Sequence, residues 1–192
     1  MTDGSQGMIS QVMGLAQQFS TNILPIKTKL LFPWSKLQPG ILPIFSWIFL
    51  NNLNLSFPPD IIVSCGRKSV YLSIYLKKKF KNTITIHIQN PKINFQNFNF
   101  IIAPEHDHIK GNNVISSIGA LHKFTKKTIE EQIDSSFNIP KKKLISVLIG
   151  GNNHHYKFSV TEINKLSLKI QNIKKAYPEY NFLILSSRRT TH

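Results

Sequence analysis

The chain has 192 residues, of which 24 are lysine or arginine and 9 are aspartate or glutamate, so its formal net charge is +15. A hydrophobic fraction of 41% is typical of a globular protein and excludes a disordered chain or a collagen-like repeat. The single cysteine, Cys65, excludes an intramolecular disulfide framework and a multi-cysteine metal site, and it makes the cytoplasm the expected location.

The positive charge is scattered along the chain. Arginine stands only at Arg67, Arg188 and Arg189, and the lysines form short, separate runs. Base readout and bidentate phosphate contacts favour arginine, so this distribution disfavours nucleic acid as a partner. Attraction to an anionic membrane surface, as a peripheral protein, stays open.

Short β-branched runs alternate with amphipathic stretches, a pattern typical of an α/β fold with a parallel sheet. Apolar residues at helical spacing predict helices from just after Gly7 to about Phe19, around Leu72–Phe80, from Lys126 to about Ser135, and from a capping box at Ser159 to before Pro178. The predicted strands are Ile23–Lys27, Asp60–Ser64, Thr83–Gln89, Phe98–Ala103, Asn113–Ser116, Leu144–Ile149 and Asn181–Leu185.

The longest apolar run, Ile41–Leu50, is about half the roughly 20 residues that cross a bilayer. We expect a helix packed in the core here, with contact at a membrane interface through Phe45 and Trp47 as the alternative.

The polar, basic stretch Asn138–Lys143 contains Pro140 and predicts a linker. We therefore divide the chain into a Rossmann-like domain over residues 1–139 and the start of a second Rossmann-like domain over residues 140–192. A Gly-rich turn that leads at once into a helix usually follows a strand. The first sheet is accordingly expected to have an unpaired place beside its first strand.

Ligands bind at the carboxyl ends of parallel strands, so the loops that follow the strands are the candidate sites. In the first loop, Gly4 and Gly7 would let the backbone approach a ligand, although a plain tight turn looks the same. After the second predicted strand, Gly66, Arg67 and Lys68 stand at a helix start, where they would hold a phosphate or carboxylate. An ordinary turn with solvent-facing charges is the alternative.

Cys65 stands beside these cations, which would lower its thiol pKa, but no His/Asn pairing supports a nucleophile. Three titratable residues, Glu105, His106 and Asp107, follow another strand and are candidates for a general base or a hydroxyl-binding cluster. A surface loop is the alternative, and their spacing is poor for a metal.

Two later loops carry backbone turns and cations. Gly150, Gly151 and Asn152 follow the first strand of the second domain, where backbone amides could reach a pyrophosphate. The turn is not GxGxxG, which disfavours dinucleotide oxidoreduction. Ser187, Arg188 and Arg189 follow the last strand. His122 follows another predicted strand, and it either borders the crevice at the strand ends or packs in the core.

Seven sequence blocks in this order resemble the mitochondrial fission protein family of the elongated-mitochondria type, whose bacterial members were once called predicted nucleoside-diphosphate-sugar epimerases. The blocks are TDGSQGMISQVMGLA (Thr2–Ala16), CGRKS (Cys65–Ser69), IQNP (Ile88–Pro91), APEHD (Ala103–Asp107), GALH (Gly119–His122), LIGGNN (Leu148–Asn153) and SSRRT (Ser186–Thr190). The resemblance runs nearly end to end.

The resemblance implies a GT-B glycosyltransferase architecture, in which two Rossmann-like domains bind a nucleotide-sugar without metal or other cofactor and transfer the sugar to an acceptor. Because plant members recruit a dynamin-related protein to mitochondria, a non-catalytic adaptor at a membrane is the alternative. By resemblance, one side of the cleft is formed by Gly4, Gly7, Gln11, Cys65, Gly66, Arg67, Lys68 and Glu105–Asp107, and the other begins with Gly150, Gly151, Asn152, Ser187, Arg188 and Arg189.

The family has a strand before the TDG turn and a further stretch after SSRRT, and both are absent from this sequence. The chain is therefore expected to be a fragment that lacks the catalysis of its parent.

Overall fold

The computed structural model describes residues 1–50, 55, 57–131, 143–152, 156–187 and 190. The chain forms two compact units, Met1–Glu131 and Gln132–His192. The predicted linker lies almost entirely outside the described residues, so the boundary at residue 139 stays a prediction.

The first unit is built on a parallel four-stranded sheet of order β1-β2-β3-β4. Its strands are β1 (Ile61–Cys65), β2 (Ile84–Ile88), β3 (Phe100–Pro104) and β4 (Val114–Ser117), and its α-helices are α1 (Gln6–Ala16), α2 (Arg67–Lys79) and α3 (Lys126–Glu131). Single 3-10 turns occur at Ser46–Ile48, Phe95–Asn97 and Glu105–Asp107. This arrangement is Rossmann-like and confirms the predicted α/β fold class.

The core of the first unit forms where α2 packs on the sheet. Val70, Tyr71 and Leu72 of this helix are fully buried, because α2 packs on the strands through Val70 and is also covered by loop residues such as Trp34 and Ile48. Helix α1 packs through Val12 against Val63 and Ile88 on the other side. Burial of this apolar area on two helices stabilises the sheet and fixes where its strand ends lie.

The first two residues pair with the sheet beside β1. The Met1 amine donates to Val63 O at 2.6 Å, and Cys65 N donates to Met1 O at 3.0 Å. Thr2 also bridges to Lys27 on its other side. Met1 and Thr2 thus pair with part of the edge of β1 that we expected to be unpaired. An apolar cavity of about 960 Å³ lies next to them.

Two predicted elements are wrong. The stretch Ile23–Lys27 is not a strand, because Pro25 has no N–H for a ladder and only Lys27 makes a bridge. The run Ile41–Leu50 is not a core helix, since Pro43 interrupts it and only a single 3-10 turn forms.

The second unit consists of β5 (Leu144–Ile149), α4 (Val160–Ala176) and β6 (Asn181–Ser186), and its two strands are parallel. Ser159 caps α4 by accepting a hydrogen bond from Glu162 N at 3.4 Å, as predicted. Apolar side chains such as Leu148 and Ile184 are exposed. No helix in the described part of either unit is long and apolar enough to cross a membrane.

Candidate functional site

Polar side chains converge on one pocket of about 360 Å³ in the first unit. The pocket lies at the carboxyl ends of β2 and β3, where ligands bind in open parallel sheets. It is smaller than the apolar cavity beside Met1, but it gathers hydrogen-bonding groups from α1 and two strand-end loops. Its polar lining comprises Gln11, Gln89, Asn90, Lys92, His106 and Asp107.

Gln11 is the unusual member of this lining. It lies in α1 with only 8% of its surface exposed, and its side-chain amide makes no hydrogen bond with any described residue. The amide is nevertheless open to the pocket, since among the described residues the fully buried side-chain oxygens without a partner are those of Thr28 and Ser73. Gln11 was a site residue by resemblance alone, and the structure places it in the pocket with an amide that a ligand can satisfy.

The loops around the pocket hold an uncommon backbone conformation. Gln89 and Lys92 have φ angles of 76° and 54°, and His108, just after Asp107, has a φ of 50°. Non-glycine residues adopt this left-handed region rarely, and such strain is concentrated at functional sites. A hydrogen bond from Gln89 N to Ile102 O at 2.8 Å holds the first of these loops against β3.

Two of the three predicted catalytic residues line the pocket. His106 Nε2 lies 3.9 Å from Asp107 Oδ1, and the histidine is exposed while the aspartate is largely covered. Glu105 is exposed and is not part of the pocket lining. The geometry therefore favours His106 and Asp107 over Glu105 as the titratable pair that can reach a ligand.

The N-terminus of α2, which we predicted to hold an anionic ligand, already carries a carboxylate of the chain. Asp3 accepts hydrogen bonds from Lys68 N and Ser69 N, each at 3.1 Å. Gly66 has a φ of 98°, and a Cβ there would lie 2.8 Å from Asp3 Cγ. Residue 66 must be a glycine because Asp3 packs directly against its backbone.

Arg67 contacts backbone carbonyls of a neighbouring loop. Its guanidinium donates to the carbonyl oxygens of Trp34, Ser35 and Leu37. These contacts use the fork of N–H groups that we had assigned to a phosphate or carboxylate. The role of Arg67 and Lys68 in ligand binding stays a prediction, and the observed role of Arg67 is to fix this loop.

The expectation for Cys65 is wrong in one respect. Its side chain is fully buried at the end of β1, and burial, together with Asp3, raises the thiol pKa to about 12. The low pKa expected from the neighbouring cations is absent because Arg67 points to carbonyls and desolvation dominates. Cys65 packs in the core beside Val12.

The remaining predicted residues of the first unit surround α1. Gly4 has a φ of 97° and lies against the Lys27 side chain, whereas Gly7 has open space around it. His122 is exposed and lies outside the pocket lining, but its backbone carbonyl packs closely on Gly14.

The predicted residues of the second unit that the structure describes lie at the ends of β5 and β6. Thr190 Oγ1 accepts a hydrogen bond from Ser187 N at 2.8 Å and donates to Gly150 O at 2.9 Å. Asn152 Oδ1 accepts from Phe158 N at 2.6 Å. Gly150, Asn152 and Ser187 thus belong to the adjoining ends of two parallel strands, as does Gly151, while Arg188 and Arg189 lie outside the described residues.

Sequence reasoning missed the loop after β2 as part of the site. Gln89, Asn90 and Lys92 all line the pocket. The signal was present, because the IQNP block directly follows a predicted strand and is one of the blocks that carry the family resemblance.

The fold and the pocket define a Rossmann-like α/β protein with a polar pocket at its strand ends. The chain belongs to the family described as Mitochondrial fission ELM1, whose sequence model matches residues 6–192.

One relative is an uncharacterized protein of Rickettsia prowazekii (strain Madrid E), which is 30% identical over 166 residues. The match covers 69% of this chain and 47% of the relative, so the chain spans about half the length of that protein. No solved structure shows a significant match.

Proposed function

We propose that the chain is part of a GT-B-like, nucleotide-sugar-dependent glycosyltransferase, and that the pocket at Gln11 holds the hydroxyl-bearing acceptor. The observation that carries this proposal is the amide of Gln11, a mostly covered residue, which makes no hydrogen bond with a described residue and lines a pocket that also contains His106 and Asp107. Ligand hydroxyl groups would supply the hydrogen bonds that the protein itself does not.

The chemistry of the lining suits a hydroxyl-rich ligand. The Gln11, Gln89 and Asn90 amides each offer donors and an acceptor, which match hydroxyl groups that are both. Asn90 Oδ1 already accepts from Lys92 N at 2.9 Å, so that amide is held in place by its own loop. A pocket of about 360 Å³ is within the size range of small-ligand sites.

In this proposal His106 is the general base. The acceptor hydroxyl oxygen forms a bond to the anomeric carbon of the donor sugar, the bond from that carbon to the diphosphate breaks, and the hydroxyl proton moves to the imidazole. Asp107, whose Oδ1 lies 3.9 Å from His106 Nε2, would stabilise the positive charge that the ring acquires. The nucleoside diphosphate would be bound in the second unit by the Gly150 turn, Arg188 and Arg189.

The first experiment separates the pocket from the stability of the fold. Gln11→Leu removes an amide that makes no hydrogen bond with a described residue, so we expect the free energy of unfolding to change by less than about 1 kcal/mol. Ligand-dependent thermal stabilisation by monosaccharides and nucleotide-sugars is expected to fall about tenfold in potency, as the loss of one good hydrogen bond predicts. Gln17→Leu, at the exposed end of α1, is the matched control. Equal ligand responses in both variants would contradict the proposal.

The second experiment tests the base. In a full-length relative, asparagine at either of the positions that match His106 and Asp107 is expected to abolish release of nucleoside diphosphate from a nucleotide-sugar in the presence of acceptor. His108→Asn is the control, because asparagine tolerates the left-handed backbone and His108 lies outside the pocket lining. Turnover that persists in both pocket variants would rule out this pair as the catalytic base.

The second candidate function is a non-catalytic adaptor that recruits a dynamin-like partner to a membrane. The family's description, which names mitochondrial fission, supports it, since fission remodels membranes. A pull-down of a purified dynamin-like protein by this chain, with equal yield from Gln11→Leu and His106→Asn, would favour the adaptor. Loss of the partner from the pocket variants, together with measurable turnover in a full-length relative, would favour the enzyme.

A further inference from the structure

Three exposed aromatic side chains lie beside the loop that Arg67 holds, where the chain pairs two antiparallel segments. Phe32 is 78% exposed and Trp47 is 58% exposed, and the Phe45 ring stacks on Trp47 with centroids 5.6 Å apart. Leu31 N donates to Ile48 O at 2.9 Å, so Phe32 and Trp47 emerge at the same end of one antiparallel pairing. Grouped exposed aromatics of this kind mark interaction surfaces. We call Phe32, Phe45 and Trp47 the aromatic patch.

Buried residues packed against the aromatic patch hold it in a fixed position. Trp34 is buried, its ring meets Trp47 edge-on at 5.0 Å, and its Nε1 donates to Pro43 O at 3.0 Å. The Arg67 guanidinium on the Trp34 and Leu37 carbonyls ties this support to α2. The exposed rings therefore sit on a fixed platform, which lowers the entropy lost when they bind a surface.

The charge around the patch has one sign. No aspartate or glutamate occurs between Asp3 and Asp60, whereas this stretch contains Lys27, Lys29 and Lys36. Lys29 lies on the same pairing as the patch, since Leu50 N donates to Lys29 O at 3.1 Å. Lysines near an anionic bilayer are attracted to its surface charge, and Trp and Phe rings partition into the headgroup region.

We propose that the aromatic patch docks this chain on an anionic lipid bilayer, with Phe32, Phe45 and Trp47 in the headgroup region and the neighbouring Lys29 and Lys36 close to the lipid charges. The patch combines aromatic side chains with a surrounding sequence that contains lysines and no acidic residues. This combination favours an anionic bilayer over a neutral apolar surface as the binding partner. The docking surface is independent of the Gln11 pocket, so either proposal can fail without the other.

Vesicle co-sedimentation tests the docking surface. The chain is expected to bind vesicles of phosphatidylcholine with phosphatidylglycerol, to bind pure phosphatidylcholine weakly or not at all, and to be released as salt rises well above about 0.1 M. The double variant Phe32→Ser, Trp47→Ser should bind the anionic vesicles about tenfold or more weakly, since both side chains lose their apolar burial. Phe124→Ser, an exposed aromatic outside the patch, is the control and should bind like the parent chain.

A spectroscopic measurement gives a second readout. Trp34→Phe leaves Trp47 as the one tryptophan, because the sequence contains only two. Its emission should shift to the blue on addition of the anionic vesicles and become protected from an aqueous quencher. Failure of the parent chain to bind anionic vesicles would overturn the proposal. So would equal binding by a double variant whose thermal unfolding matches the parent, because lysine charge alone would then account for the attraction.

Discussion

Ser69 donates two hydrogen bonds to a single carboxylate oxygen of Asp3. Its backbone N–H and its hydroxyl both lie 3.1 Å from Asp3 Oδ1. The hydroxyl also lies 2.9 Å from Cys65 O and so stands between β1 and the start of α2. An acidic side chain from the first loop thus neutralises the positive end of α2 and ties that loop to the sheet.

We expect Asp3→Ala to lower the free energy of unfolding by about 1–2 kcal/mol, the usual effect of removing a helix N-cap interaction. The vacated amides should then bind an anion, so phosphate should raise the unfolding temperature of the variant more than that of the parent chain. Thermal unfolding with and without phosphate measures both effects.

Asp60→Ala is the control for this variant, since Asp60 is an exposed acid whose backbone carbonyl, and not its side chain, pairs with Ile84 N. Equal phosphate responses in the parent and in Asp3→Ala would show that the carboxylate does not occupy an anion site.

Most of the regular structure could be predicted because its elements have a clean hydrophobic period. The stripe Ile9, Val12, Met13 and Ala16 predicted α1, and the continuous apolar run Leu144–Ile149 predicted β5. The predictions for Ile23–Lys27 and Ile41–Leu50 were wrong because they relied on apolar composition. Each stretch contains a proline, which lacks the N–H that a strand ladder or a helix needs. Tertiary contacts decide the shape of such segments.

The site was predictable only in part. Strand-end position indicated His106 and Asp107, and both line the pocket. Position could not show that Arg67 would turn away to the carbonyls of Ser35 and Leu37, because those residues are distant in sequence. Nor could it show that the Gln11 amide would be left without a partner, which depends on packing across three elements.

Arg67 is expected to stabilise the fold through geometry as well as charge. Arg67→Lys keeps the charge but loses the fork that reaches three carbonyls, so we expect the free energy of unfolding to fall by about 1–3 kcal/mol. Lys68→Ala is the control, since the Lys68 side chain makes no hydrogen bond with a described residue, and its effect should stay within about 0.5 kcal/mol. Urea unfolding measures the stability of both variants. A smaller loss of unfolding free energy for Arg67→Lys than for Lys68→Ala would contradict a stabilising role of the three Arg67 hydrogen bonds.

His87 predicts how stability changes with pH. Its ring is buried beside Ser64, with Nδ1 2.9 Å from Ser64 Oγ, and burial lowers the histidine pKa to about 3 from its ordinary 6.5. Between these values the unfolded chain binds a proton that the folded chain does not, so stability falls as pH decreases from 6.5 toward 3. We expect this histidine to remove about 3 kcal/mol between pH 6.5 and pH 4.

Urea midpoints at several pH values in the parent chain and in His87→Leu test this dependence. The variant should lose stability at neutral pH but show a shallower decline toward pH 4. His122→Leu is the control, because His122 is exposed and its replacement should leave the decline unchanged. Parallel profiles for the parent chain and His87→Leu would exclude His87 as the source of acid sensitivity.

Two glycines of α1 are expected to respond oppositely to the same substitution. Gly7→Ala adds a methyl group where nothing lies within 4 Å, so the higher helix propensity of alanine should stabilise the chain by about 0.5–1 kcal/mol. Gly14→Ala would place its Cβ 2.3 Å from the backbone carbonyl of His122, which cannot move as a flexible side chain would. We expect Gly14→Ala to destabilise by more than the propensity gain, about 1–3 kcal/mol overall.

The two variants also test whether α1 positions the pocket. Displacing the segment at His122 moves the neighbouring Ala120, which lines the pocket opposite Gln11. Gly14→Ala should therefore weaken ligand-dependent stabilisation at temperatures where it is still folded, and Gly7→Ala should leave it unchanged. Thermal unfolding across a ligand titration measures stability and binding together. Stabilisation by both substitutions would show that the close approach of Gly14 to His122 does not limit the packing of α1.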